Sequence, residues 1–290
     1  MVWARALAMV RLARPLVIAA GLLAFLTGAC MAHWRLGEIP WGSSIAGLVI
    51  MVSAIVMGHY ANEYADFDTD SITRRTLFSG GSGVLPSGAV PRSWALYGAL
   101  AFLGLSIALT ALSYAMGLIE ISTVALVAIG IPLGWFYSMP PLRLERTWLG
   151  ELDNALLGAM MFLIGYVAAV GSFDIEVLAL SAPIFLAVLI NLLGVHYADM
   201  GADEMVGKRT MAVVLGPRTK HLFIALVVMM YVSMIPLALL LPSAVTIACL
   251  ATLPVAIWAV LGFTKDGGPK YGSILMASLF AFAAIGFILA

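Results

Sequence analysis

A chain of 290 residues with 63% hydrophobic and only 10% charged residues, and a mean hydropathy of +1.06, lies far outside the soluble range, where apolar residues make up about half. That balance excludes a soluble globular protein and points to the membrane. The formal net charge of +0 says nothing about partners, and no nucleic-acid partner is expected; the placement of the charges says more.

Apolar stretches of about 20 residues, enough to cross a bilayer, run over 14–33, 43–64, 93–113, 117–137, 151–172, 178–198, 221–241, 243–263 and 271–290. An alternating ten-residue pattern, as in an outer-membrane barrel, is missing. The expected fold class is therefore all-α: a polytopic membrane protein of nine transmembrane helices, forming a single domain over 1–290. The first span follows three arginines, Arg5, Arg11 and Arg14, and LTGAC at 26–30 faintly resembles a lipoprotein cleavage site. Thr27 stands where Leu would be needed, so no cleavage is expected. Cys30 and Cys249 fall inside apolar helices and read as small core residues.

The second span ends in HYANEYADFDTD (59–70), and the sixth ends in HYADMGAD (196–203). Aligned, Asp66 and Asp70 match Asp199 and Asp203. The repeat offset of four helices suggests a duplicated four-helix unit plus one. Each phrase runs into a long loop, 71–92 with FSGGSGVLPSG at 78–88, and 199–220 with Gly207-Lys208-Arg209-Thr210. Glycine and proline at that density cannot continue a helix. Residues 221–264 hold no Asp, Glu, Lys or Arg, and Leu241-Pro242-Ser243 marks a hairpin between the seventh and eighth spans.

On this layout 14 of the 15 Lys and Arg fall at the N-terminus or in loops 2–3, 4–5, 6–7 and 8–9, while the opposite loops carry only Arg35. The positive-inside rule places the N-terminus and those loops in the cytoplasm. The expected location is a prokaryotic cell (inner) membrane.

Asn62, Asp66 and Asp70 recur every four residues, as do Asp199 and Asp203. A four-residue step returns to nearly the same helix face, so each set forms a stripe. Asp68 points elsewhere, and Glu63 and Asp68 read as bystanders. Helix capping explains the stripes poorly, because they lie at C-terminal ends, where the helix dipole disfavours anions. A carboxylate near hydrocarbon costs roughly 2.5–3.5 kcal/mol on insertion scales, so a cation is expected between the stripes. Oxygen ligands without nearby Cys suit a hard ion such as Mg2+. His59 and His196 read as packing or hydrogen-bonding residues. Carboxylates, Mg2+ and the basic Arg74, Arg75, Lys208 and Arg209 at one membrane face describe a diphosphate site, and the surrounding helices call for a hydrocarbon tail.

Three motifs carry a resemblance: N-x-x-x-D-x-x-x-D on the second helix, D-x-x-x-D followed by G-K-R-T on the sixth, and YSMPPLRLERTWLGE at 137–151. Together, with Arg14-Pro15 opening the first helix, they resemble the UbiA superfamily of intramembrane prenyltransferases. The resemblance implies nine helices around a central cavity, with Asn62, Asp66, Asp70, Asp199 and Asp203 as the metal site and the four aspartates as catalytic residues. It implies that Arg14, Asn62, Arg74, Tyr137, Arg143, Lys208 and Arg209 bind substrate. The implied activity is Mg2+-dependent transfer of a prenyl group from a prenyl diphosphate to an aromatic small-molecule acceptor within the lipid bilayer. NEYADFDTD and the GKRT-x-A-V-x-LG ending look more like the 1,4-dihydroxy-2-naphthoate branch, which makes menaquinone. Val195 departs from the pattern, since members often carry Asn there. A hydroxybenzoate, a chlorin, a glycerol-phosphate lipid or a carotenoid remains open as acceptor, as does terpene cyclisation. A cation-coupled transporter would place its carboxylates nearer mid-membrane.

Overall fold

The computed structural model describes residues 2–72, 75 and 80–290. Among them nine helical stretches are long and apolar enough to cross a membrane, in accord with the expected all-α architecture. In chain order these are α2 (Pro15–Leu36), α3 (Trp41–Ala65), α5 (Arg92–Ala115), α6 (Ile121–Ser138), α7 (Leu149–Val170) and α8 (Ile175–Met205). The remaining three are α10 (Thr219–Met234) with its 3-10 extension, the pair α11 (Ser243–Leu250) and α12 (Leu253–Asp266), and α13 (Lys270–Ile288). Shorter pieces complete the chain: α1 (Val2–Leu12), α4 (Phe67–Asp70) and α9 (Met211–Leu215).

Local chemistry explains the boundaries. Pro15 opens α2 at a position whose N–H would be unpaired anyway, behind Arg14 in a left-handed conformation (φ 54°). Asp174 caps α8 by accepting from the Val177 N–H at 2.9 Å, the usual remedy for an orphan donor. Its other oxygen accepts from the Tyr166 hydroxyl.

Two expectations change. Residues 199–205 belong to α8 and not to a loop, so Asp199 and Asp203 sit on a continuous helix. The eighth span is broken between Leu250 and Leu253, ahead of Pro254, which cannot donate a backbone hydrogen bond. Thr252 Oγ1 donates to the Cys249 carbonyl at 2.6 Å and meets Tyr231 Oη at 2.7 Å, which repairs the gap inside the membrane. A short helix, α1, precedes the first span, and the Tyr60 hydroxyl donates to its Met9 carbonyl at 2.9 Å.

In lipid, helices associate through close packing and not through hydrophobic expulsion, so small residues mark the contacts. The contact of α2 with α7 is built on Gly28 and Gly165: a Cβ on Gly28 would meet Tyr166 N at 2.9 Å, and one on Gly165 would meet the Phe25 carbonyl carbon at 2.9 Å. Thr27 Oγ1 contacts its own helix at the Leu23 carbonyl and α13 at the Phe280 carbonyl (2.9 and 3.0 Å). Central α7 and α8 are the most enclosed spans along with α13, whereas α5 presents Leu105, Ile107 and Leu112 outward. The enclosed helices and α2, α3 and α6 surround one cavity.

Candidate functional site

The cavity has a volume of about 520 Å³. Its lining is graded along the helices. Asp66 and Asp70 after α3, Asp199 and Asp203 on α8, and Arg14 and Lys208 from the adjoining segments form the charged end. Further along the same helices and their neighbours the wall becomes Ala24, Ile55, Met160, Ile164, Leu192 and Phe280. Such a pocket suits a ligand with a charged head and a hydrocarbon tail.

The first stripe survives the end of α3. Asp66 N–H donates to the Asn62 carbonyl and Asp70 N–H to the Asp66 carbonyl, each at 2.8 Å, so helical spacing continues into α4. Asn62 is buried, and its Nδ2 lies within hydrogen-bond distance of Asp66 Oδ2 (2.8 Å), Ser138 Oγ (3.0 Å) and Glu145 Oε2 (3.0 Å). Its amide nitrogen thus organises carboxylates.

Between the two stripes stands the Lys208 ammonium. Nζ is 2.5 Å from Asp66 Oδ1, 3.7 Å from Glu145 Oε2 and 4.0 Å from Asp203 Oδ1. One cation therefore bridges acidic groups from three separate segments. Burial alone would push Asp66 up, but the adjacent Lys208 charge and hydrogen bond hold it below the usual carboxylate range. Burial, reinforced by the nearby Asp66, pushes Glu145 well above the usual carboxylate range. Against burial, Asp66 and Glu145 hold Lys208 up at about 12. Burial raises Asp70 to about 7, opposed by Arg14, which lies 3.8 Å away.

The oxygen-rich donor set fits a hard divalent cation. Asp66, Asp70, Asp199 and Asp203 all border the same space, and Lys208 Nζ already stands as a cation between Asp66 and Asp203. Among the described residues no three carboxylate, histidine or cysteine side chains are drawn together as a finished metal cage.

Of the residues expected at the site, Arg14, Asn62, Asp66, Asp70, Tyr137, Asp199, Asp203 and Lys208 line the cavity. Arg143 and Arg209 are exposed and do not line it. Arg143 occupies a left-handed turn (φ 46°), and the Arg209 N–H is spent on the Arg146 carbonyl at 2.8 Å, which turns the residue after Lys208 outward. Arg74 lies outside the described residues.

Two residues escaped the sequence reading. Glu63, read as a bystander, is 1% exposed. It accepts from Arg14 Nε at 2.6 Å, from the Ser82 N–H at 2.7 Å and from Ser82 Oγ at 2.6 Å, and so fastens the glycine-rich loop to α3. Glu145 lies within YSMPPLRLERTWLGE, where an acidic residue between Arg143 and Arg146 is the available signal. Asp68 is exposed, as expected. Gly81 (φ +63°) lies so close to Asp70 that an added Cβ would stand 3.0 Å from Oδ1 and nearer still to the rest of the carboxylate.

Residues 21–287 match the UbiA prenyltransferase family. The chain is 24% identical over 211 residues to the 1,4-dihydroxy-2-naphthoate octaprenyltransferase of Bacillus subtilis (strain 168), a match covering 71% of this chain and 65% of that protein. The chain thus spans slightly less than two thirds of that relative's length. A solved structure of a digeranylgeranylglyceryl phosphate synthase superposes with a TM-score of 0.71 at 18% identity, covering 99% of each chain. A UbiA homolog from Archaeoglobus fulgidus, bound to GPP and Mg2+, superposes with a TM-score of 0.69 at 19% identity, covering 98% of this chain and 100% of that one. At these identities the two structures share the fold with this chain.

Proposed function

We propose that this chain, which belongs to the UbiA prenyltransferase family, transfers a prenyl group from a prenyl diphosphate to a hydroxylated aromatic acceptor, 1,4-dihydroxy-2-naphthoate, inside the membrane. The observation that carries this reading is the graded cavity, with two acidic stripes and Lys208 at one end and apolar helix at the other. The naphthoate acceptor is supported by the NEYADFDTD and GKRT segments and by the Bacillus subtilis relative. Its product would feed menaquinone synthesis. Residues 1–290 act as one domain, with the N-terminus and the charged end of the cavity in the cytoplasm of a prokaryotic cell, as the distribution of Lys and Arg supports.

Asp66, Asp70, Asp199 and Asp203 would hold Mg2+, which is also present in the Archaeoglobus fulgidus homolog. When bound, the ion supplies positive charge against the diphosphate as that group departs. Lys208 and Arg14 add fixed charge at the same end, where preorganised cations favour charge building on the leaving oxygen. Asn62 and Glu145 keep Asp66 and Lys208 in register. The apolar wall orients the prenyl tail and keeps water from the allylic carbon.

The test is diphosphate release from geranylgeranyl diphosphate by the full chain in membranes. Asp66→Ala and Asp199→Ala should each abolish Mg2+-dependent release; full activity in both would overturn the site. Mass identification of the product from a panel of quinone precursors then decides the acceptor, and consumption of another acceptor in place of the naphthoate rejects it.

A further inference from the structure

Two histidines line the cavity, His59 on α3 and His196 on α8. Both are tethered through Nδ1. His59 meets the Ala13 carbonyl at 2.6 Å, and His196 meets Glu151 Oε1 at 2.8 Å. A carbonyl or carboxylate oxygen only accepts, so Nδ1 carries the hydrogen in each ring and Nε2 keeps its lone pair. For His196, Nε2 bonds no described residue and is not sealed off, so it opens onto the cavity.

The groups behind the rings separate them. Behind His196 is a carboxylate with no exposure, whose Oε1 also accepts from the Met211 N–H at 2.7 Å. Its second oxygen, Oε2, is buried without a partner. That unspent capacity is costly unless a positive charge arises beside it. His59 has a neutral carbonyl behind it and the Arg14 guanidinium among its charged neighbours, which opposes a second positive charge. The other charges facing His196 are Asp203 on its own helix and Lys208 beyond it.

We propose that His196 is the proton acceptor for the prenyl acceptor's hydroxyl, with Glu151 as the positioning residue that fixes the ring and stabilises the imidazolium. The inference rests on the transferase reading above. In the step, a ring carbon beside the hydroxyl forms its bond to C1 of the prenyl group while the C1–O bond breaks, its electron pair leaving with diphosphate. The hydroxyl proton moves to His196 Nε2, and the acceptor oxygen becomes a ring carbonyl. Positioned general bases contribute about 10²–10⁴-fold.

The test uses the purified full chain, Mg2+, geranylgeranyl diphosphate and 1,4-dihydroxy-2-naphthoate. In His196→Gln, kcat for transfer should fall at least about 100-fold, while donor binding measured without acceptor stays within about twofold. An acceptor analogue fluorinated to make its hydroxyl more acidic should recover most of the loss in His196→Gln and gain little in the parent. Glu151→Gln should show the same selective recovery in milder form. An unchanged kcat in His196→Gln, a parallel loss of donor binding, or no recovery with the acidic analogue overturns the assignment. A parent protein that prenylates no hydroxylated acceptor overturns the transferase reading and this inference together, whereas an active parent with an equally active His196→Gln overturns this inference alone.

Discussion

Lys208 and Asp66, 142 residues apart in the chain, meet at 2.5 Å, joining the loop after α8 to the end of α3. Side-chain exposures of 7% and 14% mean that the pair sits largely out of water. Breaking such a pair strands a buried charge at a cost of about 3–5 kcal/mol, whereas replacing both partners together is far better tolerated. Lys208→Met alone should therefore lower the thermal unfolding midpoint in detergent. The double variant Lys208→Met/Asp66→Asn should recover most of that loss while remaining inactive in diphosphate release. A double variant no more stable than the single one would show that the pair does not organise the fold.

Glu63 accepts three hydrogen bonds with almost no exposure. Glu63→Ala leaves Arg14 and the Ser82 N–H without that partner, at about 1–3 kcal/mol for each stranded buried group. The loop at 80–88 should exchange amide hydrogens faster and be cut sooner by protease, and KM for the donor should rise. Hydrogen exchange resolved to that loop checks it.

At Gly81 two constraints coincide, a left-handed backbone and the nearby Asp70 carboxylate. Gly81→Ala should displace Asp70 and weaken donor and Mg2+ binding at least about tenfold, at a cost of order 1–3 kcal/mol. The unfolding midpoint should move little, because the strain falls on the loop that borders the cavity and not on a membrane-spanning helix. Calorimetric titration with donor and metal measures it.

Gly165 tests the membrane packing. Its added Cβ would meet backbone atoms of Phe25, which cannot rotate aside. Gly165→Ala should cost about 1–3 kcal/mol and lower the unfolding midpoint, whereas Gly201→Ala, where nothing lies within 4 Å, should not. Equal midpoints would remove the α2–α7 contact from the list of stabilising features.

The spans and the two acidic stripes were legible because hydropathy length and the four-residue step are local properties, readable one helix at a time. Asp66, Asp70, Asp199 and Asp203 therefore appear together at the cavity. What escaped depends on how loops fold back. Glu63 is one residue from Asn62, yet its burial is created by Arg14 and Ser82 arriving from two other segments. Arg209 adjoins Lys208 but points away, because a backbone hydrogen bond to Arg146 sets the turn. Adjacency in sequence carries no information about that rotation.

The 31 residues of α8, at 1.5 Å each, extend roughly 46 Å, well beyond a hydrocarbon core of about 30 Å. Both ends carry carboxylates, Asp174 and Glu176 at the start and Asp199 and Asp203 in the final turns, so both ends of the helix lie toward the interfaces and not in the hydrocarbon. For the proposed reaction this sorts the two products by solubility: diphosphate is released beside water, and the prenylated ring stays dissolved in the bilayer. The reverse reaction would require the two to meet again across a phase boundary, which gives the enzyme a direction that no single residue provides.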